Sequence, residues 1–187
     1  MTDRNALIEG TIKVFSEKGI KFTMDDVAAC MGISKKTIYK IFPNKKALMM
    51  AAIDYGFDAI KAEERAIYDN PDLTTSEKIR KILGAMPESY RNLDFREIVA
   101  ARAKFPDMYA RIEERLETGW ELTISLLEQG MREGSIRKID IPVFKTIFEA
   151  ALEHFLTRDV LGLNNITYDA ALSELCDVLM QGIEVRD

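Results

Sequence analysis

Apolar residues recur along most of the chain at the three- and four-residue spacing of an amphipathic helix. The first stripe of this kind lies between Leu7 and Phe15, and Gly19 follows it as a residue suited to end a helix. Alternating positions rich in β-branched residues, the pattern of a strand, are absent from the sequence. The pattern therefore predicts an all-α protein whose first helix covers about residues 3–18.

Two short helices joined by a tight turn are predicted next. Thr23 can accept the free backbone amides at the start of a helix, and Asp26, three residues later, completes a capping box. Gly32 supplies the left-handed backbone that a turn between helices needs, and Ser34 can cap the helix that follows and ends near Phe42. This succession is the pattern of a helix-turn-helix.

A long helix is predicted after this motif. Pro43 breaks the chain, Asn44 offers a new cap, and few helix breakers occur from Lys45 to about Tyr68. Such a helix would connect an N-terminal module stiffly to the rest of the chain. We therefore divide the protein into a domain of residues 1–48 and a second domain of residues 49–187.

The second domain is predicted to be a helical bundle. Its further helices are expected to begin at or near Thr75 or Ser76, Asp94, Pro106, Pro142 and Thr167. The helix that Pro106 opens is predicted to be long and to end only at Gly134. The whole chain would then contain about nine helices.

The net charge of −5 is divided unevenly between the two parts. Residues 1–50 hold nine Lys or Arg against five Asp or Glu, whereas the remainder holds 17 against 26. A positive module on an acidic body is the asymmetry expected when only one end of a protein meets phosphate. A solvated basic face is the alternative that charge alone leaves open.

The second helix of the helix-turn-helix carries a polar, basic face. At about 100° per residue, its exposed half consists of Lys35, Lys36, Thr37, Tyr39 and Lys40. Ile38 and Phe42 point the other way, toward the first helix. Lysine can reach guanine acceptor atoms or phosphate, threonine offers a hydroxyl and a methyl, and tyrosine can bond phosphate from a stiff ring. The free face therefore suits the major groove of DNA.

Residues from about 7 to 48 resemble the DNA-binding domain of the TetR family. The resemblance rests on Phe15, Gly19, Thr23, Val27-Ala28, Gly32-Ile33-Ser34, Thr37, Tyr39, Phe42, Lys45 and Leu48. It implies that Lys35, Lys36, Thr37, Tyr39 and Lys40 occupy recognition-helix positions, that Thr23 and Lys45 contact phosphate, and that Ser34 is a cap that also touches phosphate. Lys40 and Lys46 depart from the commonest pattern and make this surface more basic than most.

For the second domain the resemblance implies only an architecture, a helical ligand-binding and dimerisation domain. The last two predicted helices carry more apolar surface than one packing face needs. Pairing them with their copies would give a homodimer with two DNA-binding modules for two half-sites. The expected interface residues are Phe144, Ile147, Phe148, Ala151, Phe155, Leu172, Leu175 and Leu179.

Aromatic residues of the second domain are candidates for the wall of an effector pocket, since such pockets are apolar with few polar anchors. The candidates are Tyr90, Phe95, Phe105, Tyr109, Trp120 and Phe148. Packing within the core is the alternative for each of them.

Other functional classes find little support in the sequence. It has one histidine and lacks HExxH, GxSxG, Walker and metal-spaced cysteine motifs, so we expect neither an enzyme nor a cofactor or metal. A helical adaptor that has lost DNA binding would have a degraded recognition helix and a neutral N-terminal module. Cys30 and Cys176 are expected to be buried, reduced thiols, with a redox sensor as the alternative.

The sequence thus predicts a DNA-binding transcription regulator. We expect a cytoplasmic protein without a membrane span, because no apolar run approaches the roughly 20 residues that a span needs. Its partners would be double-stranded DNA, a small-molecule effector of unknown identity and a second copy of the chain. The resemblance favours a ligand-responsive repressor that binds a pseudo-palindromic operator as a dimer.

Overall fold

The computed structural model describes residues 3–91, 93 and 105–185. Its α-helices are α1 (Arg4–Lys18), α2 (Met24–Met31), α3 (Lys35–Tyr39), α4 (Lys45–Asp69), α5 (Thr75–Leu83), α6 (Glu88–Arg91), α7 (Pro106–Glu117), α8 (Glu121–Glu133), α9 (Ile141–Thr157), α10 (Val160–Leu163) and α11 (Tyr168–Ile183). Within these residues the other regular features are a 3₁₀ turn at Gly19–Lys21 and one isolated β-bridge between Ile136 and Glu184. The all-α prediction is confirmed, and the helix expected near residues 94–104 lies outside the described residues.

Side-chain caps begin the helices much as the sequence predicts. Thr23 and Asp26 form the reciprocal capping box of α2, and the Ser34 hydroxyl accepts from the Thr37 amide at the start of α3. Thr167 caps α11. Helix α5 begins at Thr75, one of the two predicted starts, and its cap is Thr74, which forms a second capping box with Glu77.

The prediction of one long helix from Pro106 to Gly134 is wrong. The helix is interrupted between α7 and α8, where Gly119 adopts a left-handed backbone with φ 76°. The Gly119 carbonyl does not continue a helix and instead accepts a hydrogen bond from Lys61 Nζ, at 2.8 Å. Lys61 lies on α4, so a contact between distant parts of the chain stabilises the break.

In the part of the chain that the structure describes, two apolar clusters form the interior. The N-terminal cluster includes Leu7, Val27 and Ile38, and the body cluster includes Leu127 and Met180; all five side chains are fully buried. Helix α4 runs between the clusters: Leu48, Met49 and Ala51 belong to the first, and Phe57 and Ile67 pack against the second. The predicted division at residues 48 and 49 therefore falls within a continuous helix.

The two cysteines differ in exposure. Both are free thiols, and Cys176 is buried as expected, but Cys30 is exposed. Helix α2 turns Val27 and Ala28 into the core and leaves the next two positions outside, so the expected burial of Cys30 is wrong. Among the described residues, no helix combines the length and the apolar character needed to cross a membrane.

Candidate functional site

A tight turn holds α2 and α3 in the arrangement of a helix-turn-helix. Gly32 has φ 62° and ψ 31°, which a glycine adopts without steric cost. The Ile33 amide closes the turn by donating to the Ala28 carbonyl at 3.0 Å. Ile38, which is fully buried, fixes α3 against the core and leaves the opposite face of the helix in solvent.

The predicted recognition residues lie on that outer face. Ser34, Lys35, Lys36, Tyr39 and Lys40 are exposed, and Thr37 is half-buried. The hydroxyls of Ser34 and Thr37 lie 2.8 Å apart and bond to each other. The side chains that the sequence assigned to one DNA-facing surface are thus brought together, and their contacts with DNA stay a prediction.

Lys35 has a partner that the sequence analysis did not identify. Its ammonium donates to Asp25 Oδ2 at 2.8 Å, and this hydrogen bond raises the pKa of Lys35. Asp25 lies in the first turn of α2, where a carboxylate also interacts favourably with the helix dipole. The sequence gives no signal for this contact, because Asp25 lies ten positions before Lys35 and only the turn between α2 and α3 brings the two side chains together.

Thr23 lies at the positive end of α2 in a network of short hydrogen bonds. Asp26 accepts from the Thr23 amide at 2.7 Å, from its hydroxyl at 2.8 Å and from Lys18 at 2.5 Å. These bonds, led by the one from Lys18, lower the pKa of Asp26 to about 2. The network ties the end of α1 to the start of α2 and sets the position of the exposed Thr23 cap.

Lys45 is directed inward. Its ammonium donates to the main-chain carbonyls of Ile20 at 2.6 Å and Phe22 at 2.5 Å. It also lies 4.0 Å from the centre of the Phe22 ring and 6.0 Å from that of Phe105. Lys45, which the resemblance assigns to phosphate, is therefore half-buried and holds the turn between α1 and α2. Its contact with DNA stays a prediction.

A cavity of about 210 Å³ lies between the N-terminal module and the body. Its wall includes Phe15 and Phe22 from the N-terminal module and Trp120 and Phe148 from the body. Met49 and Glu64, both on the wall, are fifteen residues apart on α4, which corresponds to about 22 Å of helix. The cavity is therefore elongated along α4 and extends to both apolar clusters.

Three of the six aromatic residues proposed from the sequence line this cavity, namely Tyr90, Trp120 and Phe148. Phe105 and Tyr109 are not among its lining residues, and Tyr109 is buried. Phe95 lies outside the described residues. The N-terminal contribution to the wall was not foreseen, since Phe15 and Phe22 carry no sequence signal beyond that of core residues.

Lys61 and Glu64, which form an ion pair, both line the otherwise largely apolar wall. Lys61 Nζ donates to both carboxylate oxygens of Glu64 at 2.9 Å and to the Gly119 carbonyl at 2.8 Å. The whole Glu64 residue is 6% exposed, and this burial raises the pKa of its carboxyl. Arg115 also lines the cavity, but its guanidinium bonds Asp58 at 2.6 Å.

The residues proposed for the dimer interface separate into two groups. Phe144, Phe148 and Leu172 are buried within the chain and belong to the body cluster. Ile147, Ala151, Phe155, Leu175 and Leu179 are exposed or half-buried on α9 and α11. Val143 and Val178, which the sequence analysis did not select, add exposed apolar surface to the same two helices. The interface itself stays a prediction.

The exposed basic face of α3, held by the α2 turn on a helical body, defines a helix-turn-helix DNA-binding protein. Residues 7–52 match the family model described as bacterial regulatory proteins, tetR family. Over 181 residues the chain is 26% identical to the HTH-type transcriptional regulator YvaF of Bacillus subtilis, covering 97% of this chain and 95% of that protein. Residues 7–52 are therefore similar to the N-terminal domain of tetR-family regulators, and the whole chain is similar to an HTH-type transcriptional regulator.

Solved structures show the same fold. A TetR-family transcriptional regulator from Rhodococcus sp. superposes with a TM-score of 0.66 at 21% identity, covering 95% of this chain and 98% of that one. FadR of Bacillus subtilis, solved in complex with stearoyl-CoA, superposes with a TM-score of 0.58 at 18% identity, covering 95% and 98%. These likenesses extend over both the N-terminal module and the body.

Proposed function

We propose that the chain is a ligand-responsive repressor that binds a pseudo-palindromic operator as a homodimer. The observation that carries this proposal is the shared wall of the cavity, to which both the DNA-binding module and the body contribute. A molecule in that space would contact the two parts at once. Repression, rather than activation, and action in the cytoplasm follow the family resemblance.

Helix α4 supplies a route between the ligand and the DNA. Its first turn carries Lys45, which stacks on Phe22, and Phe22 in turn lines the cavity. Farther along, Asp54 and Asp58 bond Arg111 and Arg115 of α7 at 2.8 and 2.6 Å. A ligand that moved α7 would therefore pull on α4 and on the module attached to it. A coupling of about 1–3 kcal/mol would change operator affinity roughly 5- to 150-fold.

Exposed apolar surface on α9 and α11 supports the homodimer. Val178 is 60% exposed, Val143 54% and Ile147 49%, although all three are large apolar side chains. Burial of this surface against a second copy would remove it from water and would join two DNA-binding modules by a twofold axis. A twofold protein reads an operator of matching symmetry.

Small-molecule control is supported by the size and the apolar character of the cavity. It is also supported by FadR of Bacillus subtilis, whose structure holds stearoyl-CoA on the same fold. That ligand belongs to the relative, and the chemistry of the present wall has to be judged from its own residues.

Footprinting on the DNA that flanks the protein's own gene tests the proposal. We expect two protected half-sites, and an affinity for the labelled duplex that falls steeply as salt rises from about 50 to 200 mM, because each phosphate contact releases counterions. Candidate effectors that quench Trp120 fluorescence are then titrated against the complex. Absent or salt-independent DNA binding would overturn the regulator, and ligand binding that leaves operator affinity unchanged would overturn the coupling.

A further inference from the structure

Lys61 has no remaining hydrogen-bond donor for an incoming ligand. An ammonium group offers three N–H donors, and three acceptors lie at 2.8–2.9 Å from this one, namely both Glu64 oxygens and the Gly119 carbonyl. Gly119 also contacts the lysine stem closely, since a Cβ at that position would lie 2.7 Å from Lys61 Cε. An anionic ligand would have to break these contacts before it could bind Lys61.

Arg115 is likewise occupied. Its guanidinium bonds Asp58 at 2.6 Å, approaches Asp54 at 3.8 Å and lies over the Phe57 ring at 5.4 Å. Among the described residues, the charged side chains that line the cavity are Lys61, Glu64 and Arg115. Both cations of the wall are therefore engaged by carboxylates.

Glu64, by contrast, keeps acceptor capacity. A carboxylate has about four lone-pair sites, and the described residues use two of them, both through Lys61. Glu63 and Glu121 add negative potential at this carboxylate, and the raised pKa of Glu64 indicates that Lys61 does not fully offset the cost of burial. A second cation beside Glu64 would stabilise its charged form.

The rest of the wall suits the apolar part of such a molecule. Trp120 packs edge-on against Phe148 with ring centres 5.6 Å apart, and its indole N–H already donates to the Leu116 carbonyl at 3.0 Å. It therefore offers a ligand its ring surface, which attracts cations as well as apolar groups. From Glu64 the apolar wall continues along α4 to Met49.

We infer that the cavity takes an elongated, largely apolar molecule with one ammonium group, which donates a hydrogen bond to the Glu64 carboxylate. The inference rests on the proposed role of the cavity as the effector site. It assigns the class of the ligand, an apolar amine, and it assigns to Glu64 the part of specificity determinant. Lys61 and Gly119 are positioning residues that hold the carboxylate and the turn before Trp120.

The test uses three probes of equal chain length, n-decylammonium, decanol and decanoate, with the full-length protein. Trp120 is the only tryptophan of the chain and lies on the cavity wall, so its fluorescence reports occupancy. We expect decylammonium to bind about tenfold or more tightly than either matched probe, the size of one charge-assisted hydrogen bond. Equal binding of the three, tighter binding of decanoate, or binding of none of them would overturn the inference.

Glu64→Gln then tests the residue, with Glu128→Gln, at an exposed position of α8 away from the cavity wall, as the control. We expect the preference for decylammonium to be lost in the first variant and kept in the second. A preference that survives Glu64→Gln would overturn the assignment to Glu64. Should that variant fail to fold, the wild-type probe series still decides the ligand class. Operator binding without ligand is measured in parallel. If the protein binds its operator but prefers decanoate, the inference about the ligand class is overturned and the proposed function is not.

Discussion

The ammonium of Lys45 lies 4.0 Å from the centre of the Phe22 ring, and Phe22 forms part of the cavity wall. Lys45 also donates to the carbonyls of Phe22 and Ile20. A residue that the family resemblance assigns to DNA is thus bonded to the segment that follows α1 and contributes Phe22 to the cavity wall. Displacement of Phe22 by a ligand would move the first turn of α4.

Lys45→Ala is expected to lower stability as well as DNA affinity. The substitution removes the two hydrogen bonds that the Lys45 ammonium donates to the Ile20 and Phe22 carbonyls, and the loss of such bonds costs about 1–3 kcal/mol of unfolding free energy. Thermal unfolding followed by circular dichroism measures the first effect, and fluorescence anisotropy with labelled operator measures the second. Lys36→Ala, at an exposed position on α3, is the control that should leave the unfolding temperature unchanged. A Lys45→Ala protein as stable as wild type would show that these internal bonds contribute nothing.

Lys36→Ala and Lys40→Ala are each expected to weaken operator binding. If a lysine contacts phosphate, its removal lowers affinity for all sequences alike and makes the slope of log affinity against log salt shallower by about one. If it contacts a base, the loss is about 1–3 kcal/mol and discrimination at one operator position relaxes. Lys138→Ala, on the exposed surface of the body, provides the control. If both variants bound the operator with wild-type affinity, α3 would not be part of the DNA-binding surface.

Gly119→Ala is expected to destabilise the protein more than Gly134→Ala. Both glycines have left-handed backbones, with φ 76° and 80°, so each substitution carries a similar backbone cost of about 1 kcal/mol. Only at Gly119 would the new Cβ meet a neighbour, 2.7 Å from Lys61 Cε, whereas nothing lies within 4 Å at Gly134. Urea unfolding of the two variants isolates the Lys61 contact. Equal losses would mean that Lys61 moves aside freely.

Asp26 is expected to make stability depend on pH in the acidic range. Its folded-state pKa is lowered to about 2, below the unfolded value of about 3.9. The stabilisation is therefore complete above about pH 4 and is lost as the pH falls toward 2. The difference in unfolding temperature between wild type and Asp26→Asn should shrink across that window. Asp72→Asn, at an exposed loop position, serves as the control; a difference that stays constant with pH would contradict the role of the Asp26 charge.

Val178→Asp is expected to dissociate the proposed homodimer. An unpaired charge in a buried interface costs about 2 kcal/mol or more, which raises the dimer dissociation constant about 30-fold or more. Sedimentation velocity over a range of concentrations measures the change. Lys81→Asp, exposed on α5 and outside the proposed interface, should leave the association unchanged. A dimer that tolerates Val178→Asp would place the interface elsewhere, and a wild-type monomer would overturn the homodimer.

The sequence alone determined the features that depend on near neighbours in the chain. The capping pair Thr23 and Asp26, the turn at Gly32 and the inward position of Ile38 are each encoded within a few residues. Helical periodicity therefore sufficed for the helix-turn-helix and for the exposed basic face of α3. The same reasoning located α4 to within one residue of its C-terminal end.

The tertiary structure decided which partner each face and each long side chain meets. Lys61 reaches a carbonyl 58 positions away and stabilises the break at Gly119, where periodicity favoured a continuous helix. Periodicity also placed Phe144 and Leu172 on apolar helix faces, but it could not tell whether these faces pack in the core or in a subunit interface. Both side chains belong to the core of the body. The burial of Glu64 and the elongated cavity arise only where α4 meets the body, because lysine, glutamate and aromatic side chains adopt the rotamers that their distant neighbours permit.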